Sequence, residues 1–154
     1  SMVNEVAPLY MALTSDKIYD RLIIDEIEAS LHPEKQMELV QFLNRLYNKG
    51  INFIISTHSD TFVSKLNNLC VLSEYIKKSG NTSELRKLGL SSDDIIPLND
   101  VFVYEFINHS DGKSTVEKIP FNEKLGYQFD LFTGSALKLY NEAAKIQEII
   151  SNEG

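Results

Sequence analysis

The sequence predicts an α/β fold, parallel strands flanked by helices with an added antiparallel hairpin, on three observations. Two short runs, RLIID at 21–25 and INFIIS at 51–56, are apolar without alternation, the pattern of parallel strands covered on both faces. A helix-patterned segment lies between them, and strand, helix, strand with connections this short is a βαβ unit with parallel neighbours and a right-handed crossover. Farther on, VFVYEF at 101–106 and STVEKI at 114–119 alternate apolar with polar around NHSDGK, which predicts a hairpin turning at Asp111-Gly112.

The remaining elements follow in order. Residues 3–13 carry Val6, Leu9, Tyr10 and Leu13 at helical spacing, with Pro8 a weak point near the start. A helix is expected over 33–49: Pro33 suits its first turn, Leu39, Leu43, Leu46 and Tyr47 share a face, and Gly50 supplies the stop. Another starts after Ser59, with Asp60 in its first turn. Residues 73–98, broken by KKSGNTSE and LSSDD, read as a polar, exposed helical insertion. Over 135–151, Leu139, Ala143, Ile146 and Ile150 fall on one helical face suited to core or dimer packing.

Composition bounds the function. A chain of 154 residues, 43% hydrophobic, has the length and core of one domain, organised as a 1–72 core, the 73–98 insertion and a 99–154 hairpin and helix. No segment approaches the roughly 18 uninterrupted apolar residues of a membrane span, and no charged-then-apolar leader is visible, so a soluble, cytoplasmic protein without a membrane partner is expected. The net charge of −7 argues against a nucleic-acid-binding surface on this chain by itself, because backbone binding relies on clustered Lys and Arg. Cys70, the only cysteine, sits in LCVL and reads as a small buried hydrophobe.

The chemistry gathers where the two apolar strands end. Ligands of open α/β sheets bind beyond the carboxyl ends of the strands, and there the chain puts Asp25, Glu26, the loop Ser30-Leu31-His32-Pro33 and the turn Ser56-Thr57-His58-Ser59-Asp60. Neighbouring carboxylates repel unless they share a cation. Asp25 can hold Mg²⁺ through its waters, since a hard cation prefers oxygen ligands. Glu26 can then orient or deprotonate a water attacking phosphorus, and His58 can hydrogen-bond the phosphoryl oxygens. Taken singly, each piece has an ordinary reading: a solvated strand end, a helix N-terminus with Ser30 as cap, a strand-to-helix turn. His109, in the hairpin turn, reads as a solvated loop residue.

Together and in this order, the motifs resemble the ABC-type ATPases, in particular the branch that includes the structural-maintenance-of-chromosomes proteins, the RecF-like repair ATPases and the overcoming-lysogenization-defect (OLD) nucleases. LIIDEIEASLHP looks like that branch's Walker B plus D-loop, and ISTHSD like its H-loop. The resemblance covers about residues 1–72 and implies the C-terminal part of a P-loop NTPase (ABC-type) fold. It implies Asp25 as the Mg²⁺-associated aspartate, Glu26 as catalytic base and His58 as the switch histidine. Ser30 to Pro33, with Ser30 and His32 near the nucleotide, would be the D-loop that communicates across a dimer. The implied cofactors are ATP and Mg²⁺. The family's signature segment would fall about where the chain begins, so that Ser1 and Asn4 belong to its degenerate remainder or Ser1 is a tag residue.

One departure counts as much as the matches. None of the seven glycines opens a G-x-x-x-x-G-K-[ST] loop, so nothing here cradles the β- and γ-phosphates. The chain is therefore expected to be the C-terminal lobe of a larger ATPase, inactive alone, partnered by the N-terminal lobe of the same protein and by a second copy. DNA as a partner, in repair or defence, comes from family analogy. Two rivals stand beside this reading. One is a metal-dependent hydrolase or nuclease using Asp25, Glu26, His32 and His58 as ligands; SSDDI at 91–95 is too weak a match to the acidic cluster of the Toprim nuclease domain that OLD proteins carry. The other is a non-catalytic dimerisation module.

Overall fold

A computed structural model describes residues 20–123, 125–128, 139 and 141–143. The expected helix over 3–13, with Ser1 and Asn4, lies outside the described residues, as does most of the expected helix over 135–151. The chain divides into two compact units, one running to Val101 and taking in Glu123–Gly126, the other holding Phe102–Asn122 and the chain from Tyr127.

The first unit is built on β1 (Arg21–Asp25), α1 (Pro33–Tyr47), β2 (Asn52–Ser56) and α2 (Asp60–Ser79). The two strands pair in parallel, Arg21 opposite Asn52 and Asp25 opposite Ser56. Burial alternates along both strands, contrary to the expectation of cover on both faces. Leu22, Ile24, Phe53 and Ile55 pack against a core of Leu39, Val40 and Leu43 from α1 and Phe62 and Leu69 from α2, together with Ile27 and Leu31. The opposite face is open: Ile23 is 78% and Ile54 55% exposed. Apolar content on both faces of a strand signals what each face is suited to meet, not whether that neighbour is within the chain.

Local chemistry fixes the helix ends. Pro33 opens α1, where its missing N–H costs nothing and its fixed φ is already helical. Gly50, at φ +98°, turns the chain into β2. At the start of α2 the Ser59 hydroxyl accepts from the Phe62 N–H (3.1 Å), satisfying one of the orphan donors. Gly80 closes the helix in the left-handed conformation, its N–H donating to the Ile76 carbonyl.

Residues 73–98 are mostly exposed, as expected, but are tied to the first unit at a few buried positions. α2 continues through Ser79, and Ser73 and Glu74 are buried on it. A short helix α3 (Ser83–Lys87) and single 3₁₀ turns at Ser92–Asp94 and Leu98–Asp100 follow, with Leu85, Asp94 and Ile96 buried. The polar composition hid a segment tied down by side chains of α1. Asn44 donates to the Asp94 carbonyl (2.9 Å), Arg45 Nε to Asp94 Oδ1 (2.7 Å), and Asn48 beyond the helix to the carbonyls of Asp93 and Ile95.

In the second unit, β3 (Tyr104–Asn108) and β4 (Ser114–Lys118) form the antiparallel hairpin, Phe106 opposite Val116. The first strand starts three residues later than expected, after the 3₁₀ turn that ends at Asp100. The turn holds Gly112 at φ +79°, and His109 Nε2 lies 2.8 Å from Thr115 Oγ1, so His109 is exposed but anchored. No helix among the described residues is long and apolar enough to cross a membrane.

Candidate functional site

β1 and β2 end side by side, and their last residues begin the site. Asp25 and Ser56 are partners on the final rung of the parallel pair, and the Ser56 hydroxyl donates to the Asp25 carboxylate. Glu26 follows with its N–H donating to the Ser56 carbonyl (3.2 Å), which extends the ladder by one bond. Its φ of +45° is the only positive value at a non-glycine residue among those described. A side chain in that left-handed conformation is strained by roughly 1–2 kcal/mol and persists where the surroundings over-determine it. Here the turn redirects the carboxylate, and Glu26 Oε1 meets His58 Nε2 at 3.0 Å. Both side chains are open to solvent, His58 by 86% and Glu26 by 46%.

Two residues after Glu26 stands a buried carboxylate that the sequence reading did not single out. Glu28 is 3% exposed, in the turn that carries Ala29 N–H back to the Glu26 carbonyl and Leu31 N–H to the Glu28 carbonyl. Its Oε1 accepts from the Thr57 hydroxyl and from the His58 backbone N–H (3.1 Å). Gln36, on the first turns of α1, donates to the Leu31 carbonyl (2.8 Å) and accepts from the Ser59 hydroxyl, and Ser59 N–H donates to Thr57 Oγ1 (3.1 Å). The loops after the two strands are thus joined by side chains as well as by the ladder. The signal that could have found Glu28 is a third acid within four residues of Asp25, where the core residues Ile27 and Leu31 leave little room for an unpaired charge.

Of the residues the sequence proposed, Asp25, Glu26 and His58 come together. Ser30 and His32 are both exposed, and neither side chain bonds to those three. His32 instead stands at the start of α1, its carbonyl accepting from Lys35 and Gln36 N–H. Among the described residues no group of three or more His, Cys, Asp or Glu side chains could hold a metal ion, so the quartet Asp25, Glu26, His32 and His58 of the hydrolase reading is not assembled. Asp93 and Asp94 of SSDDI do not form a nuclease cluster either: Asp94 is buried against Arg45 and the Ser91 N–H and hydroxyl. Burial alone would push its carboxyl up, but these donors together outweigh it and hold the group below its ordinary value.

Asp25 and the Ser56 hydroxyl do fit Mg²⁺, which takes one or two protein oxygens and otherwise keeps waters or substrate phosphate oxygens, unlike an all-protein cage. The cleft of about 430 Å³ lined by Asn48, Glu74, Lys77, Leu85 and Pro97 includes none of the strand-end residues, which lie on open surface.

Residues 5–64, under half of the chain, match the family model described as "AAA domain, putative AbiEii toxin, Type IV TA system". Over that stretch the chain resembles an AAA-type ATPase domain. The match spans β1, α1, β2 and the start of α2, hence both strand ends and His58, and supports a P-loop-ATPase-like fold with nucleotide-binding, ATPase-like function. No curated protein and no solved structure matches the chain.

Proposed function

We propose that the chain supplies the hydrolytic strand ends of an ABC-type ATPase of the branch that includes the structural-maintenance-of-chromosomes, RecF-like and OLD proteins. The full-length protein hydrolyses ATP with Mg²⁺ as a sandwich dimer, and this chain is its C-terminal lobe. The observation that carries the reading is the 3.0 Å approach of His58 Nε2 to Glu26 Oε1, from the ends of two strands paired in parallel with Asp25 on the last rung. The phosphate-cradling loop that these 154 residues lack comes from an N-terminal lobe.

Each residue then has a distinct task. Asp25, with Ser56 beside it, would hold Mg²⁺, which would supply positive charge to offset that developing on the phosphates. Glu26 orients a water for in-line attack on the γ-phosphorus and takes its proton as the new P–O bond forms. The bond from the γ-phosphorus to the bridging oxygen breaks, and ADP leaves with that oxygen. His58, with the proton on Nε2, donates to Glu26 and, as substrate enters, to a γ-phosphate oxygen. Ser30 and His32 are exposed on the loop before α1, and in the proposed dimer they would meet the second copy.

The matched description names a toxin of a type IV toxin–antitoxin system, and a role in defence or DNA repair follows from analogy alone. Single-turnover hydrolysis of Mg-ATP by the full-length protein tests the proposal. Glu26→Gln should slow the chemical step by the roughly 10²–10⁴-fold typical of losing a general base, and a variant that turns over at the unsubstituted rate would remove Glu26 from the mechanism.

A further inference from the structure

We infer that Glu28 is a positioning residue for hydrolysis, acting through His58. The inference rests on the ATPase reading of the same site. His58 is 86% exposed, and among the described residues its ring makes no hydrogen bond or ion pair beyond that with Glu26; what fixes its place is its backbone. That backbone is held by Glu28, whose buried Oε1 accepts the His58 N–H and the hydroxyl of the preceding Thr57. Thr57 in turn receives the Ser59 N–H, and the Ser59 hydroxyl caps α2 while donating to Gln36. Glu28 therefore welds the loop that bears the base to the loop that bears the phosphate donor.

The chemistry of Glu28 suits this role better than a space-filling one. A carboxylate 3% exposed, its Oε2 buried without a hydrogen-bond partner among the described residues, is costly to bury, and a hydrophobic residue would fill the same volume without that cost. An acceptor at this position gives one thing an apolar residue cannot: a charge-assisted hydrogen bond to a specific main-chain N–H, with the directionality to fix His58 relative to the strained Glu26 turn. Misplacement of a reacting group by about 1 Å costs roughly 10²-fold in rate, so an anchor of this kind is felt in turnover rather than in substrate affinity.

The test uses Glu28→Ala and Glu28→Gln, with two readouts. In this chain, amide hydrogen exchange at His58 should quicken at least about tenfold in Glu28→Ala, the factor that one lost hydrogen bond of about 1.4 kcal/mol represents, and recover most of its protection in Glu28→Gln, which keeps an acceptor oxygen. In the full-length protein, Glu28→Ala should lower single-turnover hydrolysis by roughly 10–10²-fold with nucleotide affinity retained. In a His58→Ala background the same substitution should add less than about threefold, because its effect passes through His58. Unchanged His58 exchange, full additivity with His58→Ala, or faster exchange without slower hydrolysis would each overturn the inference. Absence of hydrolysis by the unsubstituted full-length protein is a separate result: it removes the ATPase reading, and the positioning role with it, while the exchange measurement still reports whether Glu28 holds the His58 loop.

Discussion

Arg45 Nε donates to Asp94 Oδ1 at 2.7 Å, joining the last turn of α1 to a buried carboxylate 49 residues farther along the chain. The Arg45 side chain remains half exposed, so the pair anchors the 83–100 segment without burying both side chains.

Acid should weaken this anchor. Burial raises the Asp94 carboxyl, but Arg45 and the two Ser91 donors lower it further, so it keeps its charge to a lower pH in the folded chain than in the unfolded one. The stability it contributes is then fully present above the unfolded value of about 3.9 and is lost as pH falls through the lower folded value. Asp94→Ala should reduce stability by roughly 2–4 kcal/mol at neutral pH and flatten the acid limb of a stability-against-pH curve from urea titration. An unchanged acid limb would place the acid sensitivity elsewhere.

Much of the first unit was legible in the sequence because its signals are local. The apolar runs gave β1 and β2, Pro33 and Gly50 bracketed α1, and Ser59-Asp60 opened α2. What was not legible depends on partners distant in sequence. The acids of SSDDI read as solvated because nothing local shows that Arg45 and Asn44 meet Asp94. Ile23 and Ile54 read as buried because periodicity reports suitability for cover and not the presence of a covering layer. In the site, Asp25, Glu26 and His58 were found through motif chemistry, whereas Glu28 needed the fold, since its two partners come from the next strand's exit.

The open face of the two-stranded sheet should drive self-association. Ile23 and Ile54 lie on it in register as strand partners, 78% and 55% exposed. Apolar patches of this kind attract a second surface, so the chain should form dimers by light scattering at high protein concentration. Ile54→Lys should shift the population toward monomer while changing stability by less than about 0.5 kcal/mol, as expected at an exposed position. A monomer throughout, or dimers indifferent to Ile54→Lys, would show that this face is not the one that associates.

Nucleotide binding by this chain should be weak. In the proposed reading Asp25, Glu26 and His58 would meet the metal and the γ-phosphate, but the sequence has no G-x-x-x-x-G-K-[ST] motif to cradle the β- and γ-phosphates. Calorimetry with Mg-ATP should give no measurable heat of binding at micromolar concentrations. A low-micromolar dissociation constant, about −8 kcal/mol, would mean that the strand ends suffice.

If two neighbouring acids and one histidine divide metal holding, proton acceptance and phosphate stabilisation among them as proposed, single-turnover hydrolysis combined with gel filtration in ATP separates their roles in the full-length protein. Glu26→Gln preserves shape and metal but removes the base, so hydrolysis should fall by roughly 10²–10⁴-fold with ATP still bound and the nucleotide-bound dimer accumulating. Asp25→Asn should weaken Mg²⁺ and nucleotide binding together with turnover, and trap no dimer. His58→Ala should slow hydrolysis with less trapping, because the base remains while a donor to the phosphate is lost. Equal loss of nucleotide binding in all three variants would contradict the division of roles and favour a site in which the same residues share one metal ion.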